Sequence, residues 1–296
     1  MTTLDTGGPP ADGLLSPEDP PRRPERVRTV VRGIGELLIT AGLVVLLFVV
    51  YEVYVTDLVS AGKQRDATAA LDDTWKDGGG GVDTVPGPER VERFNGLNEG
   101  SGFAKMYIPA FGADYDFTII EGTTEKSLEI GPGHYRGTAY PGEPGNFAVA
   151  GHRVGKGAPF NDIDLLNSCD AIVVETHYSW FIYRVLPKGD EVQGWAAGKG
   201  AADPRCQGVA PLGGPYAGLV GQEIVRPTQG EVIAPVPGKS GAAASAGERA
   251  TLMTLTTCHP RFSDRQRLIV HAVMVKQWAK DPAKPGETPP ELKETS

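Results

Sequence analysis

Residues 254–272, TLTTCHPRFSDRQRLIVHA, decide how the rest of the chain is interpreted. A strand-like run ends at Cys258, a turn-rich patch follows, and Arg267 leads into a second strand-like run. A thiol can act as the nucleophile of an acyl transfer, and a fixed guanidinium can stabilise the developing oxyanion. These two groups form half of an acyl-transfer site, and His152 in Gly151-His152-Arg153 is the best candidate for the missing base.

Composition limits the class of protein. Hydrophobic residues make up 40% of the 296 residues, which supports a sizeable core in one or two domains. The 39 glycines and 25 prolines indicate extensive loops and tails. The net charge of −8 argues against a nucleic-acid partner, because nucleic-acid-binding surfaces need a basic patch.

The three cysteines leave two interpretations open. Either Cys169 and Cys206 form a disulfide that leaves Cys258 free, or all three thiols are reduced. Their spacing lacks the close pairs that zinc sites use, so no metal site is expected.

Residues 37–55, LLITAGLVVLLFVVYEVYV, are the one long apolar stretch. As a helix they would rise about 29 Å, close to the thickness of the hydrocarbon core of a bilayer. Arginines precede this stretch at positions 22, 23, 26, 28 and 32. Because cytoplasmic flanks are enriched in Lys and Arg, we predict a membrane helix over 34–55, with a cytoplasmic N-terminus and the remainder outside the cell. A cleaved signal peptide is the alternative, but the apolar run is longer than a usual h-region.

The other boundaries follow from local composition. Residues 1–33 show no apolar period and predict a disordered cytoplasmic tail. Residues 56–90 contain a glycine run and predict a flexible extracellular stalk, with a short helix near its start. Residues 91–280 are expected to form the folded domain, and residues 281–296 a disordered C-terminal tail.

The folded domain consists of short strand-like runs bounded by turn residues. We predict eight strands, at residues 104–108, 117–120, 147–150, 171–176, 180–185, 223–226, 252–256 and 268–275. This pattern favours an all-β barrel or sandwich. In the last strand, Leu268 and Val270 should face one way and Arg267 and Ile269 the other. One or two helical turns are predicted at 161–167, with Ile163, Leu165 and Leu166 turned inward. An insertion is predicted at 187–221 and a loop at 235–247.

Each candidate site residue also has a plainer interpretation. Cys258 by itself fits a buried structural thiol, His152 a surface loop, and Arg267 an ordinary charge at a strand edge. Four other histidines are less suited as the base and are interpreted as structural or solvated, namely His134, His177, His259 and His271. The chain contains no serine-hydrolase, NTPase or zincin motif.

Taken together, these motifs resemble the sortase family of cysteine transpeptidases, and most of all the class E sortases of actinobacteria. The resemblance rests on Thr254-Leu255-Thr256-Thr257-Cys258, on Arg267-Leu268-Ile269-Val270, and on the upstream block that ends at Gly151-His152-Arg153. That block begins with Gly131-Pro132-Gly133-His134-Tyr135 and includes Thr138, Pro141-Gly142-Glu143 and Gly145-Asn146. The likeness covers residues 102–276, apart from the insertion.

The resemblance implies an eight-stranded β-barrel with short helices. It implies that Cys258 is the nucleophile, His152 the general acid and base, and Arg267 the donor to the oxyanion or to the substrate backbone. The implied reaction cleaves a sorting signal, Leu-Ala-x-Thr-Gly or Leu-Pro-x-Thr-Gly, between Thr and Gly, and passes the acyl group to a peptidoglycan precursor amine. Some members bind calcium, but no acidic cluster in this chain indicates it, so no cofactor is expected.

Two further functions compete with wall anchoring. In a pilin-polymerising sortase, the acceptor would be a lysine of another subunit. In a catalytically silent wall-binding module, Cys258 would not react with substrate. A papain-like hydrolase has less support because its cysteine precedes its histidine, whereas His152 precedes Cys258.

Overall fold

The computed structural model describes residues 25–78, 82–84, 92–94, 96–239 and 244–295. The first element is helix α1, Glu25–Val50. An 18-residue stretch of this helix has a mean hydropathy of 2.4, and the helix is long and apolar enough to cross a membrane. Residues 25–33, which we predicted to be disordered, are helical, whereas the rest of the predicted tail lies outside the described residues.

A second structural unit begins at Val50 and contains the remaining elements. A π-helical turn, Tyr51–Val55, precedes helix α2, Thr56–Lys76. Two one-turn helices, α3 (Glu125–Leu128) and α4 (Lys199–Ala202), lie in loops. The described strands are β1 Val82–Thr84, β2 Glu92–Phe94, β3 Gly102–Tyr107, β4 Asp116–Glu121, β5 Gly133–His134, β6 Gly145–Ala150, β7 Ala171–Glu175, β8 Ser179–Val185, β9 Gln222–Val225, β10 Thr251–His259 and β11 Gln266–Ala279.

Eight of these strands close into a barrel, which confirms the predicted fold. The order around the ring is β10, β6, β5, β4, β3, β7, β8 and β11, and β11 pairs again with β10. The β6–β10 and β4–β5 pairs are parallel, and the other pairs in the ring are antiparallel. All eight predicted strands overlap an observed strand. The ring nevertheless includes β5, which was not predicted, and β9 pairs with β11 outside the ring.

Alternation along the strands fills the barrel with apolar side chains. On β11, Leu268 and Val270 are buried in the main core, while Ile269 belongs to a separate cluster with Val225 and Val232, as the period of two predicts. In the predicted helical turn, Ile163–Leu165 is a 3₁₀ helix. Ile163 and Leu166 are buried there, but Leu165 is 63% exposed, so its predicted inward position was wrong.

Helix α2 confirms the helix predicted near the start of the stalk, but it packs on the barrel, so the predicted flexibility was wrong for these residues. The Gln64 side chain donates to the Thr118 carbonyl at 2.9 Å and accepts from the Thr118 amide at 2.8 Å. The Gln64 side-chain amide thus bonds to both backbone groups of Thr118, as a neighbouring strand would, and it holds helix α2 against β4. Within the rest of the predicted stalk, residues 79–81 and 85–90 lie outside the described residues.

Residues 290–294 of the predicted C-terminal tail also pack on the barrel, so the prediction of disorder at 281–296 was wrong for these residues. A 3₁₀ helix, Pro290–Lys293, ends the chain's regular structure. Next to it, Glu294 accepts two hydrogen bonds from the Arg184 guanidinium of β8, at 2.5 and 2.8 Å. Leu292 packs against Trp180 and its neighbours on the outer face of β7 and β8.

A disulfide joins the predicted insertion to the barrel. Cys169 and Cys206 are bonded, with their Cα atoms 4.9 Å apart, which selects one of the two alternatives that the sequence left open. Trp195 and Val209 of the insertion pack around the bond. All three cysteines lie in the described part of the chain, and the third, Cys258, is free.

Candidate active site

Cys258 and Arg267 are directly opposite each other on neighbouring strands. In the antiparallel β10–β11 pair, the register aligns Cys258 with Arg267 and Thr257 with Leu268. Paired residues point their side chains to the same face of the sheet, with Cβ atoms about 4.5–5.5 Å apart. The strand register therefore places the thiol and the guanidinium at the same end of the barrel.

His152 reaches this end because β6 runs parallel to β10. The ladder of the two strands ends with Ala150 opposite Thr256, so the chain two residues further on places His152 level with Cys258. Two bonds extend the pairing beyond the ladder. The Gly151 amide donates to the Thr256 carbonyl at 3.1 Å, and the Thr257 hydroxyl donates to the Gly151 carbonyl at 2.7 Å.

Gly151 also allows a close contact. A Cβ atom at this position would lie 2.5 Å from the Phe160 ring, which is far inside van der Waals contact. Phe160 is fully buried, and its amide donates to the His152 carbonyl at 3.0 Å. The loop between β6 and the 3₁₀ helix thus folds tightly onto the core directly beside His152.

Cys258 and His152 line one cavity of about 310 Å³, together with Arg153, Val154, Phe262, Ser263 and Asp264. Both side chains are half-buried. The His152 Nε2 atom is buried and has no hydrogen-bond partner within the described part of the chain. A thiol and an uncommitted ring nitrogen in one cavity are suited to proton exchange with each other and with a substrate.

The surroundings of His152 favour its neutral form. Burial lowers the pKa of His152 most, and the Lys156 ammonium lowers it further, while Glu125 and Glu129 act in the opposite direction. A pKa below the ordinary value of 6.5 leaves the imidazole mostly uncharged at pH 7. In the free site, His152 is therefore available to accept a proton.

The guanidinium of Arg267 points away from the cavity of Cys258. It donates to the carbonyls of Asp264 and Gln266 at 2.8 and 3.0 Å. Arg267 lines a second cavity of about 170 Å³, which includes Thr256 and Tyr135, whose hydroxyls are hydrogen-bonded at 2.9 Å. The structure thus places Cys258 and His152 in one cavity and Arg267 in a different one.

The other four histidines lie elsewhere or have other partners. His134 is buried and contacts Glu121 at 2.7 Å, and His271 is buried between Thr254 and Glu223. His177 lies at the turn between β7 and β8, at the far end of β11. His259 contacts a guanidinium through Nδ1.

That guanidinium belongs to Arg153, which is part of the Gly151-His152-Arg153 motif but was assigned no role in the sequence analysis. The Arg153 side chain is only 4% exposed and forms an ion pair with Asp164 at 2.8 Å. The one sequence feature that could have identified Arg153 as part of the site is its position directly after His152. In the part of the chain that the structure describes, no three His, Cys, Asp or Glu side chains are grouped in a way that suits a metal ion.

The comparisons with known proteins agree on one family. The family model described as Sortase domain matches residues 106–275. The chain is 32% identical over 268 residues to Sortase SrtE2 of Streptomyces coelicolor, a match that covers 86% of each protein. It is 31% identical over 274 residues to Sortase SrtE1 of the same organism, and this match covers 89% of the chain and 62% of the relative. The solved SrtF sortase from Corynebacterium diphtheriae is 42% identical, with a TM-score of 0.59, and its match covers 71% of this chain and 99% of that one.

Proposed function

The chain belongs to the sortase family of cysteine transpeptidases, and from this premise we propose that it is a membrane-anchored transpeptidase of surface proteins. Its substrate is a sorting signal of the form Leu-Ala-x-Thr-Gly or Leu-Pro-x-Thr-Gly, cleaved between Thr and Gly. The acyl group passes to an amine of a cell-wall precursor. The observation that carries this proposal is that the free thiol of Cys258 and the unpartnered nitrogen of His152 line one cavity.

The first half of the reaction forms a thioester. His152 accepts the proton of the Cys258 thiol, and the thiolate attacks the carbonyl carbon of the substrate threonine. The imidazolium then gives its proton to the departing glycine amine as the peptide bond breaks. The neutral resting state of His152, which follows from its lowered pKa, suits the initial proton transfer.

The second half resolves the thioester. An acceptor amine attacks the acyl carbon, His152 removes a proton from the attacking nitrogen, and the Cys258 thiolate leaves. Both tetrahedral intermediates carry an oxyanion, which Arg267 is proposed to stabilise. For this role the guanidinium exchanges its bonds to the Asp264 and Gln266 carbonyls for bonds to the substrate.

Helix α1 is the proposed membrane anchor. It is the one helix in the described part of the chain with the length and hydropathy of a membrane span. We propose that its N-terminus is cytoplasmic and that the barrel lies outside the cell, where wall precursors are found, because five arginines precede residue 33 and cytoplasmic flanks are enriched in Lys and Arg.

Peptide transfer by the purified full chain in detergent tests the proposal. The chain is incubated with Leu-Ala-x-Thr-Gly and Leu-Pro-x-Thr-Gly peptides and either a wall-precursor amine or a lysine peptide, and products are identified by mass spectrometry. We expect cleavage between Thr and Gly and a thioester on Cys258. Cys258→Ala should abolish transfer, and His152→Ala should lower its rate by about 10²–10⁴-fold. Arg267→Gln should lower it by about 10²–10³-fold.

The matched control is His177→Ala, which removes a histidine at the opposite end of the barrel and should leave the rate unchanged. Transfer to the lysine peptide in place of the precursor amine would assign the chain to pilin polymerisation. Absence of a Cys258 adduct with any peptide would refute the enzymatic proposal and favour a silent wall-binding module.

A further inference from the structure

A buried arginine connects the two sides of the candidate active site. The Arg153 guanidinium forms an ion pair with Asp164 Oδ2 at 2.8 Å, donates to His259 Nδ1 at 2.9 Å, and donates to the Cys258 carbonyl at 3.4 Å. Its side chain is 4% exposed, and burying a charge at this depth is costly unless it is paired. Asp164, at 35% exposure, supplies the neutralising charge.

The contacts of Arg153 lie beyond the end of the β6–β10 ladder, where His152 and Cys258 are located. The β6–β10 ladder ends at Ala150 and Thr256, two residues short of His152 and Cys258. Beyond the ladder, the bonds of Gly151 reach only as far as Thr257. The Arg153 side chain extends the connection further, because it joins the residue after His152 to the carbonyl of Cys258 and to the ring of His259.

We propose that Arg153 is a positioning residue, whose guanidinium, held by Asp164, clamps the His152 loop to the end of β10 and sets the separation of imidazole and thiol. This inference rests on the proposed function, because it assigns Arg153 to the reaction of Cys258 and His152. A lysine cannot replace it, because one ammonium lacks the planar fork that reaches a carboxylate, a ring nitrogen and a carbonyl together.

The test is a double-mutant cycle on the full chain in detergent. Arg153→Met, Arg153→Lys and Asp164→Asn are measured with and without His152→Ala. The control is Lys199→Gln, since Lys199 forms an ion pair with Glu191 at 3.2 Å in the insertion and contacts neither Arg153 nor Asp164. Tryptophan fluorescence confirms that each variant is folded before it is assayed.

Two rates are followed. One is peptide transfer, as kcat and KM, and the other is alkylation of Cys258 by iodoacetamide across pH, which needs no substrate and is specific because the other two cysteines are bonded. We expect Arg153→Met to lower kcat by about 10²-fold and to leave KM unchanged. A decrease of this size is expected when the His152 imidazole is displaced by about 1 Å from its position beside the Cys258 thiol. In the His152→Ala background the same change should lower either rate by less than about twofold, because the group being positioned is absent. Arg153→Lys should resemble Arg153→Met, and Asp164→Asn should lower kcat in the same direction.

Equal losses from Arg153→Met in both backgrounds would overturn the proposal, since they would show a structural effect independent of His152. A higher KM with an unchanged kcat in Arg153→Met would also overturn the proposal, because it would show an effect on substrate binding and not on the reaction. If the wild type transfers no peptide but the alkylation rates show the non-additive pattern, the positioning role stands and the proposed substrate is wrong. If transfer occurs and the cycle is additive, the proposed function stands and the positioning role is wrong.

Discussion

Removal of residues 289–296 should destabilise the barrel, although these residues have the composition of a disordered tail. The deletion leaves the Arg184 guanidinium, which is 7% exposed, without the carboxylate of Glu294. Breaking a buried ion pair by removing one partner costs about 3–5 kcal/mol, and we take about 3 kcal/mol because Glu294 is 27% exposed. Loss of the partly buried Leu292 adds about 1–2 kcal/mol. The free energy of unfolding should therefore fall by about 4–5 kcal/mol.

The assay is urea and thermal unfolding followed by tryptophan fluorescence. All four tryptophans lie after Val50, so the signal reports the barrel unit and not α1. For a domain of this size the expected loss corresponds to a decrease in Tm of roughly 10–15 °C. Glu294→Gln isolates the ion pair and should give most of the effect, whereas Lys293→Gln at an exposed neighbouring position should give none. An unchanged urea midpoint in the deletion variant would refute the reasoning.

Three further predictions concern the site and the insertion. Lys156→Gln removes a cation that lowers the pKa of His152, so that pKa should rise in an NMR titration of the Cys258→Ala background, and more imidazolium should be present at pH 7. Gly151→Ala forces a methyl group into a buried ring and should lower the free energy of unfolding by about 1–3 kcal/mol, together with the transfer rate. Cys206→Ala opens a bond that spans 37 residues and should lower the free energy of unfolding by about 4 kcal/mol.

Each of these has a result that would contradict it. A lower or unchanged pKa of His152 would mean that Lys156 does not act on the ring through space. For the glycine, the control is Gly213→Ala, where a Cβ meets no neighbour within 4 Å, and equal effects at the two positions would remove the packing argument. For the disulfide, the same unfolding midpoint with and without reductant would show that the bond does not restrain the insertion.

The strands were predictable because their signal is local. Runs of β-branched and aromatic residues bounded by turn residues identified seven strands of the barrel and the edge strand β9. The alternation of residues on β11 also predicted correctly that Leu268 and Ile269 face opposite sides of the sheet. Strand β5 was not predicted because it has two residues within a stretch rich in glycine and proline. Its pairing is determined by β4 and β6 on either side, which local sequence does not reveal.

The stalk and tail predictions failed for a common physical reason. Both segments are polar, and polar composition alone predicts disorder. In each, a few contacts with the barrel supply the ordering energy, through Gln64 with Thr118 in one segment and Glu294 with Arg184 in the other. Such contacts depend on a partner that is distant in the sequence.

The candidate site was predictable in its residue types but not in its geometry. Cys258 and His152 follow strand-like runs, and the strand ends bring them to one cavity. The rotation of the Arg267 side chain toward the carbonyls of its own turn has no signature in sequence. Arg153 was overlooked because a charged residue next to a candidate base is usually solvated, and its burial is known only once Asp164 is seen opposite it.

The pairing of Cys258 with Arg267 has a consequence for how the proposed catalytic groups assemble. Both are carried by a single hairpin, so this part of the site forms as soon as two consecutive strands meet, with a short span of chain between them. His152 joins only when β6, more than a hundred residues earlier, docks alongside in the parallel sense. A hairpin grafted onto another scaffold would therefore bring sulfur and guanidinium with it, while the imidazole would have to be designed anew.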